Sequence, residues 1–167
     1  MPGENYCIGV YILMNSLPFP WWDKTITIYN KFIDPTTQRV TWYRTVVENC
    51  FWKQVNDLYN MGRYGMSTVG IQLEVKEIVC RIPQDDRYVN KKAWKELEDR
   101  TNYFTLGNGD IIILGDVDDN IDEYTTGQRS TDVLAKYKEV DEGLEIYTYV
   151  DNVRTGVTLP HYRVVGK

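Results

Sequence analysis

Residues 68–83 restrict the possible folds more than any other part of the chain. Val69, Ile71, Leu73 and Val75 alternate strictly with Gln72, Glu74 and Lys76, the period of a strand with one apolar face. Near Glu77 the phase changes, and Ile78, Cys80 and Ile82 take over the apolar positions. A one-residue change of phase sends side chains to the opposite face, so the run predicts a long strand with a bulge or sharp bend at Glu77. Thirteen Tyr, five Trp and four Phe, beside abundant Val, Ile and Thr, suit a pleated, half-buried surface better than a helix bundle.

The same reading extends along the chain. Residues 24–32 alternate, with Ile26, Ile28 and Phe32 near one face. Asp34-Pro35 starts a turn and residues 40–47 return as the second arm of a hairpin. A third strand is expected over residues 50–55, then a long mobile loop over 56–67, where Asn, Asp, Gly, Tyr and Met follow no period. Residues 90–100 predict a short surface helix with Trp94 and Leu97 three apart. The turn Gly107-Asn108-Gly109-Asp110 leads into Ile111-Ile112-Ile113-Leu114, a fully buried strand ending at Gly115. Ser130 is read as the N-cap of a second short helix carrying Val133, Leu134 and Tyr137, and strands over 144–150 and 162–165 close the chain. The expected fold is mainly β, a small barrel or sandwich of about seven strands with long loops and one or two short surface helices. Residues 1–22 are expected to form an arm and residues 23–167 a single domain.

Charge and composition narrow the chemistry. Nineteen Lys and Arg against 24 Asp and Glu give a net charge of −5, with no basic run, so sequence-specific DNA binding is not expected. One His, His161, and three dispersed Cys, Cys7, Cys50 and Cys80, exclude zinc-finger, HExxH and CxxC spacings. An odd number of thiols without a dense framework predicts reduced cysteines and a reducing compartment. Residues 6–14 are apolar, but nine residues fall short of the roughly 20 that a membrane helix needs. They lack a basic leader and cleavage site, and read instead as a docking arm or edge strand. Met14 is an alternative start.

The acidic run 115–123 contains Asp116, Asp118, Asp119, Asp122 and Glu123. Read as a calcium loop from Asp116, it places Ile121 where glycine is needed and Gly127 where a bidentate Glu is needed. A solvated acidic loop is the expectation. His161 follows Pro160 with no nucleophile elbow nearby, and reads as structural. Gly107-Asn108-Gly109 lacks the Lys-Ser/Thr of a phosphate loop. The tryptophans Trp21, Trp22, Trp42, Trp52 and Trp94 have no interleaved basic residues at the Trp21-Trp22 pair, which favours packing or subunit contact over base stacking. No catalytic residue, metal site or cofactor is expected.

The order of several short segments carries a resemblance. They are Ile26-Thr27-Ile28-Tyr29, Asp34-Pro35-Thr36-Thr37, Thr41-Trp42-Tyr43-Arg44-Thr45-Val46-Val47 and Phe51-Trp52-Lys53, followed by the strand through Val75. Gly109-Asp110-Ile111-Ile112-Ile113-Leu114-Gly115, Tyr149-Val150-Asp151-Asn152 and Pro160-His161-Tyr162-Arg163-Val164 complete the set. In this pattern, over about residues 24–167, the chain resembles the small head-to-tail connector proteins of long-tailed bacteriophages, the head-closure, stopper, minor capsid or head-tail joining type. The N-terminal arm and the helix over 90–100 depart from that pattern.

The resemblance implies a non-enzymatic β-barrel subunit of a hexameric or dodecameric ring in the virion neck. It would be made in the bacterial cytoplasm, sit between portal or adaptor and tail proteins, and have no membrane contact. Such a ring helps retain DNA that passes without sequence-specific binding. Six copies would carry about −30, repelling DNA in the lumen. Asp116, Asp118, Asp119, Asp122 and Glu123 are the candidate channel lining. Met61, Gly62, Tyr64, Gly65 and Met66 are the candidate gate or inter-subunit loop. Tyr6, Ile8, Tyr11, Leu13, Trp21 and Trp22 are the candidate docking residues. A tail-completion or tail-terminator protein is the nearest alternative, and a small-ligand-binding barrel or accessory hydrolase a more distant one.

Overall fold

The computed structural model describes residues 21–60, 72–125, 127–154 and 159–167. Six strands form a closed antiparallel barrel: β1 Lys24–Ile33, β2 Val40–Asn60, β3 Gln72–Pro83, β4 Ile111–Leu114, β5 Gly143–Asp151 and β6 His161–Gly166. Around the wall they run β1-β2-β3-β6-β5-β4. Helices α1, Lys91–Glu96, and α2, Ser130–Lys138, lie outside it. Over the described residues the chain is thus a mainly β barrel with two short helices.

Among the described residues six strands stand where about seven were expected, because two expected strands are one. β2 is 21 residues long and absorbs both the hairpin arm over 40–47 and the strand over 50–55. It bends at Asn49, whose φ is 58°, a left-handed conformation that Asn tolerates better than most residues. The β1–β2 register shifts beside this point, between Lys24 and Ile26. The first half of β2 pairs with β1 and the second with β3, so one strand turns a barrel corner at an irregularity.

The bulge expected at Glu77 is absent. β3 keeps one register against β2 from Phe51↔Arg81 to Asn60↔Gln72. The pairing with β6 stops at Ile78↔Gly166, so before Ile78 the strand has left the barrel wall. There β2 and β3 continue as a two-stranded ribbon, and the change of apolar phase coincides with the end of the shared core. Residues 56–60, expected to be loop, are part of this ribbon. Met61, Gly62, Tyr64, Gly65 and Met66 lie outside the described residues, as do Tyr6, Ile8, Tyr11 and Leu13.

Inside the barrel, Ile26, Ile28, Val47, Cys50, Ile78, Cys80, Ile82, Ile112, Leu144, Ile146, Tyr162 and Val164 meet Phe104 and Leu106 from the segment before β4. Each Val, Ile, Leu or Phe side chain among them contributes roughly 1.5–3 kcal/mol on burial. A second cluster, Tyr29, Ile111, Ile113, Ile121, Val133 and Leu134, lies on the outer face of β1 and β4 beneath α2. Both faces of β4 are therefore covered, which explains its uninterrupted apolar sequence. Gly166 permits β6 to pass β5 closely, for a Cβ there would collide with the Glu145 carbonyl.

The helix expected on the surface is anchored in the body. Asn90 caps α1 by accepting from the Ala93 N–H at 3.0 Å, and Trp94 is fully buried. Its ring lies 6.1 Å from Phe32 and 5.6 Å from Tyr43, both edge-on. Arg100 closes the cluster, with its guanidinium 3.9 Å from the centre of the Phe32 ring and a hydrogen bond to the Trp94 carbonyl. Ser130 begins α2 rather than capping it; its N–H is met at 3.4 Å by the Glu123 carboxylate, an anion at the positive end of a helix.

Candidate functional site

The acidic run leaves β4 at Gly115, whose φ of 95° suits glycine, and crosses the outer face of the β1–β2 hairpin. Thr27, on the strand phase opposite to Ile26 and Ile28, fixes the start: its hydroxyl donates to the Gly115 carbonyl at 2.7 Å and accepts from the Val117 N–H at 2.9 Å. The Tyr29 hydroxyl lies 3.1 and 2.9 Å from the carbonyls of Val117 and Asp119, which share its one proton. Burial pushes this phenol up to about 12.

Most of the carboxylates singled out in the sequence are occupied by their own chain. Asp116 pairs with Arg44. Asp119 accepts from the Tyr137 hydroxyl at 2.6 Å and lies 3.3 Å from Lys136 Nζ. Asp122 folds onto Tyr124 and Thr125, accepting the Tyr124 N–H at 2.9 Å, and these bonds hold its carboxyl below the usual range. Glu123 joins Trp42 Nε1, at 3.1 Å, to the first residue of α2. Burial works to raise the Glu123 carboxyl, but the bonds from Ser130 and Trp42 outweigh it and leave the group below its ordinary value. Asp118 is exposed. The run is therefore a strap that ties α2 to the hairpin and leaves only part of its charge to solvent. Among the described residues, no group of three or more His, Cys, Asp or Glu is placed to hold a metal ion.

Beside the strap an open cleft of about 410 Å³ is lined by Arg39, Thr41, Trp42, Asn120, Asp122 and Tyr124 among others. Arg39 lies over the Tyr124 ring at 5.5 Å, and the Tyr124 hydroxyl accepts from the Val40 N–H at 2.8 Å. The partners Tyr29, Arg44, Trp42 and Tyr137 carry no signature of their own in the sequence. Thr27 and Tyr29 could have been found by asking what covers the outer phase of β1.

A second polar centre escaped the sequence reading. Asp110 is fully buried, and its oxygens accept from Lys91 Nζ at 2.7 and 2.8 Å and from the Lys31 N–H at 2.9 Å. Burial raises its carboxyl against the opposing pull of Lys91. Next to it Asn30 clasps the Thr105 backbone, donating to the carbonyl at 2.7 Å and accepting the N–H at 3.2 Å. These bonds fix the segment before β4 against β1, a structural use of polar groups.

His161 is held from both sides. Nδ1 lies 2.8 Å from the Leu159 carbonyl and Nε2 3.2 Å from Asn152 Nδ2, an arrangement in which Nδ1 donates and Nε2 accepts. Trp22 packs edge-on against its ring at 5.7 Å. This corrects the reading of Trp22 as a docking residue: it is buried in the chain's own body, while Trp21 remains 56% exposed. Cys50 and Cys80 are buried free thiols, both raised by burial and so poor nucleophiles.

A family model matches residues 21–167, the segment that contains the whole barrel together with Trp21 and Trp22. The chain belongs to the DUF6751 family. That family is described as one of unknown function. Neither the curated proteins nor the solved structures compared with it give a match. No helix among the described residues of this DUF6751 chain is long and apolar enough to cross a membrane.

Proposed function

We propose that this DUF6751 chain is a structural protein of the phage neck, a ring-forming subunit between portal or adaptor and tail that helps close the head and retain DNA. The observation that supports this reading best is where the barrel offers contact. Its interior is filled by side chains from all six strands, so recognition belongs to the outside. There β2 and β3 run on past the wall as a ribbon. In this reading the barrel is a rigid spacer and partners are met through the ribbon, the N-terminal segment and the acidic strap. Asp118 and the exposed edges of Asp116 and Asp122 supply the negative charge that faces the DNA path, repelling the duplex rather than gripping it. No chemistry is assigned to the protein.

The test is cross-linking mass spectrometry on purified particles of a phage that encodes this chain, following Lys24, Lys53 and Lys167. Links to portal or adaptor on one side and to tail proteins on the other are expected. Links confined to tail proteins would move the assignment to tail completion, and absence from the particle would overturn a virion role.

A further inference from the structure

Beyond Cys50, β2 loses its neighbour on one side. β1 accompanies it only as far as Lys24↔Cys50, while β3 lines its other side from Phe51 to Asn60. Among the described residues no backbone lies against the remaining edge of β2 from Phe51 to Asn60. An open edge of this length is a template for another strand, and over residues 51–55 Lys53 is the only charged side chain guarding it.

β1 does not cover this edge by running on backwards. Just before Lys24, Trp22 is buried in the body and packs on His161 at the start of β6. Pro18 and Pro20 precede it and have no N–H to give a ladder. The β-prone run on the far side of those prolines is Tyr6-Cys7-Ile8-Gly9-Val10-Tyr11-Ile12-Leu13-Met14, nine residues without a charge. Its length fits the open edge, and within one chain Pro18, Pro20 and the buried Trp22 stand between this run and β1.

We propose that residues 6–14 of one copy add as a strand to the open edge of β2, residues 51–60, of a second copy. Main-chain hydrogen bonds supply the affinity in this mode of recognition. The donor and acceptor surfaces differ, so the contact is head-to-tail and propagates from copy to copy, closing when the rotation per copy permits. The inference deepens the ring reading given above and rests on it for closure.

The test compares the full chain with the full-length variant Ile8→Pro/Ile12→Pro, whose prolines have no N–H to give a ladder and whose positions precede the first barrel strand in the sequence. Hydrogen exchange read by mass spectrometry is followed over a dilution series, with sedimentation velocity on the same samples. In the parent, amides of residues 51–60 that do not bond to β3 should exchange at least about tenfold more slowly than in the variant. That protection should fade as dilution produces monomer. Equal exchange in the two proteins, protection that persists in the monomer, or a parent that never self-associates would each overturn the proposal. Self-association retained by the proline variant with unchanged exchange removes this contact and leaves the neck assignment standing. Strand exchange in solution combined with absence from the particle removes only the neck assignment.

Discussion

Asp110 and Lys91 show how much of this molecule rests on single polar residues. Asp110 is fully enclosed and Lys91 retains 28% side-chain exposure, so removing the lysine leaves a buried carboxylate without its cation. Lys91→Ala should cost about 3 kcal/mol, the lower end for a broken buried pair because water can reach part of the site; urea unfolding measures it. Asp85 allows a test by pH. Burial works to raise its carboxyl, but the Arg87 guanidinium and N–H outweigh this and hold it below the usual range. A carboxylate lowered in the folded state adds stability above its unfolded pKa, and that stability is lost as pH falls through the folded value. Asp85→Asn should therefore be less stable than the parent at neutral pH by about 1 kcal/mol, discounted for the exposed arginine, with the difference vanishing in an acid titration. Neither residue announces itself in the sequence. Lys91 sits in a charged stretch that resembles a solvated face, and its partner lies nineteen positions away.

The strands and helices were legible to the degree that their periodicity answers to one core. β1 reads correctly because Ile26 and Ile28 face the filled interior, and β4 because both of its faces are covered. The union of two expected strands into β2 was hidden, since Glu48-Asn49 resembles a turn and only the register shows the strand continuing through it. α1 was legible as a short surface helix, but its anchor was not: a short charged helix has one apolar residue to bury, and the rings that enclose Trp94 come from β1 and β2. Trp94→Ala should cost about 3–5 kcal/mol, as expected for deleting a large buried ring, and should release Arg100 from Phe32 and Tyr43. Thermal unfolding gives the loss of stability. A matching gain of hydrogen exchange confined to residues 90–104 would show that the damage is local to the α1 cluster; unchanged exchange there would contradict its anchoring role.

Over the described residues the molecule is a barrel with a filled interior, and in the proposed reading its specificity lies in what is attached to that barrel. A filled interior resists deformation, while the ribbon, the open edge of β2 and the acidic strap remain on the outside, where neighbouring copies and other proteins would meet it. A small barrel or sandwich was readable from alternation and aromatic content, because those reflect local backbone preference and burial; the closure into a barrel came only with the strand pairing. Which surfaces meet partners was not, because an assembly contact leaves no period in a single chain. Electron cryo-microscopy of purified particles addresses this assignment. The account predicts a six- or twelve-fold ring of these barrels at the neck, with the strap around Asp118 toward the DNA path and a strand from the adjacent copy along residues 51–60. A ring whose acidic strap faces outward, away from DNA, or a neck built without this barrel, would contradict it.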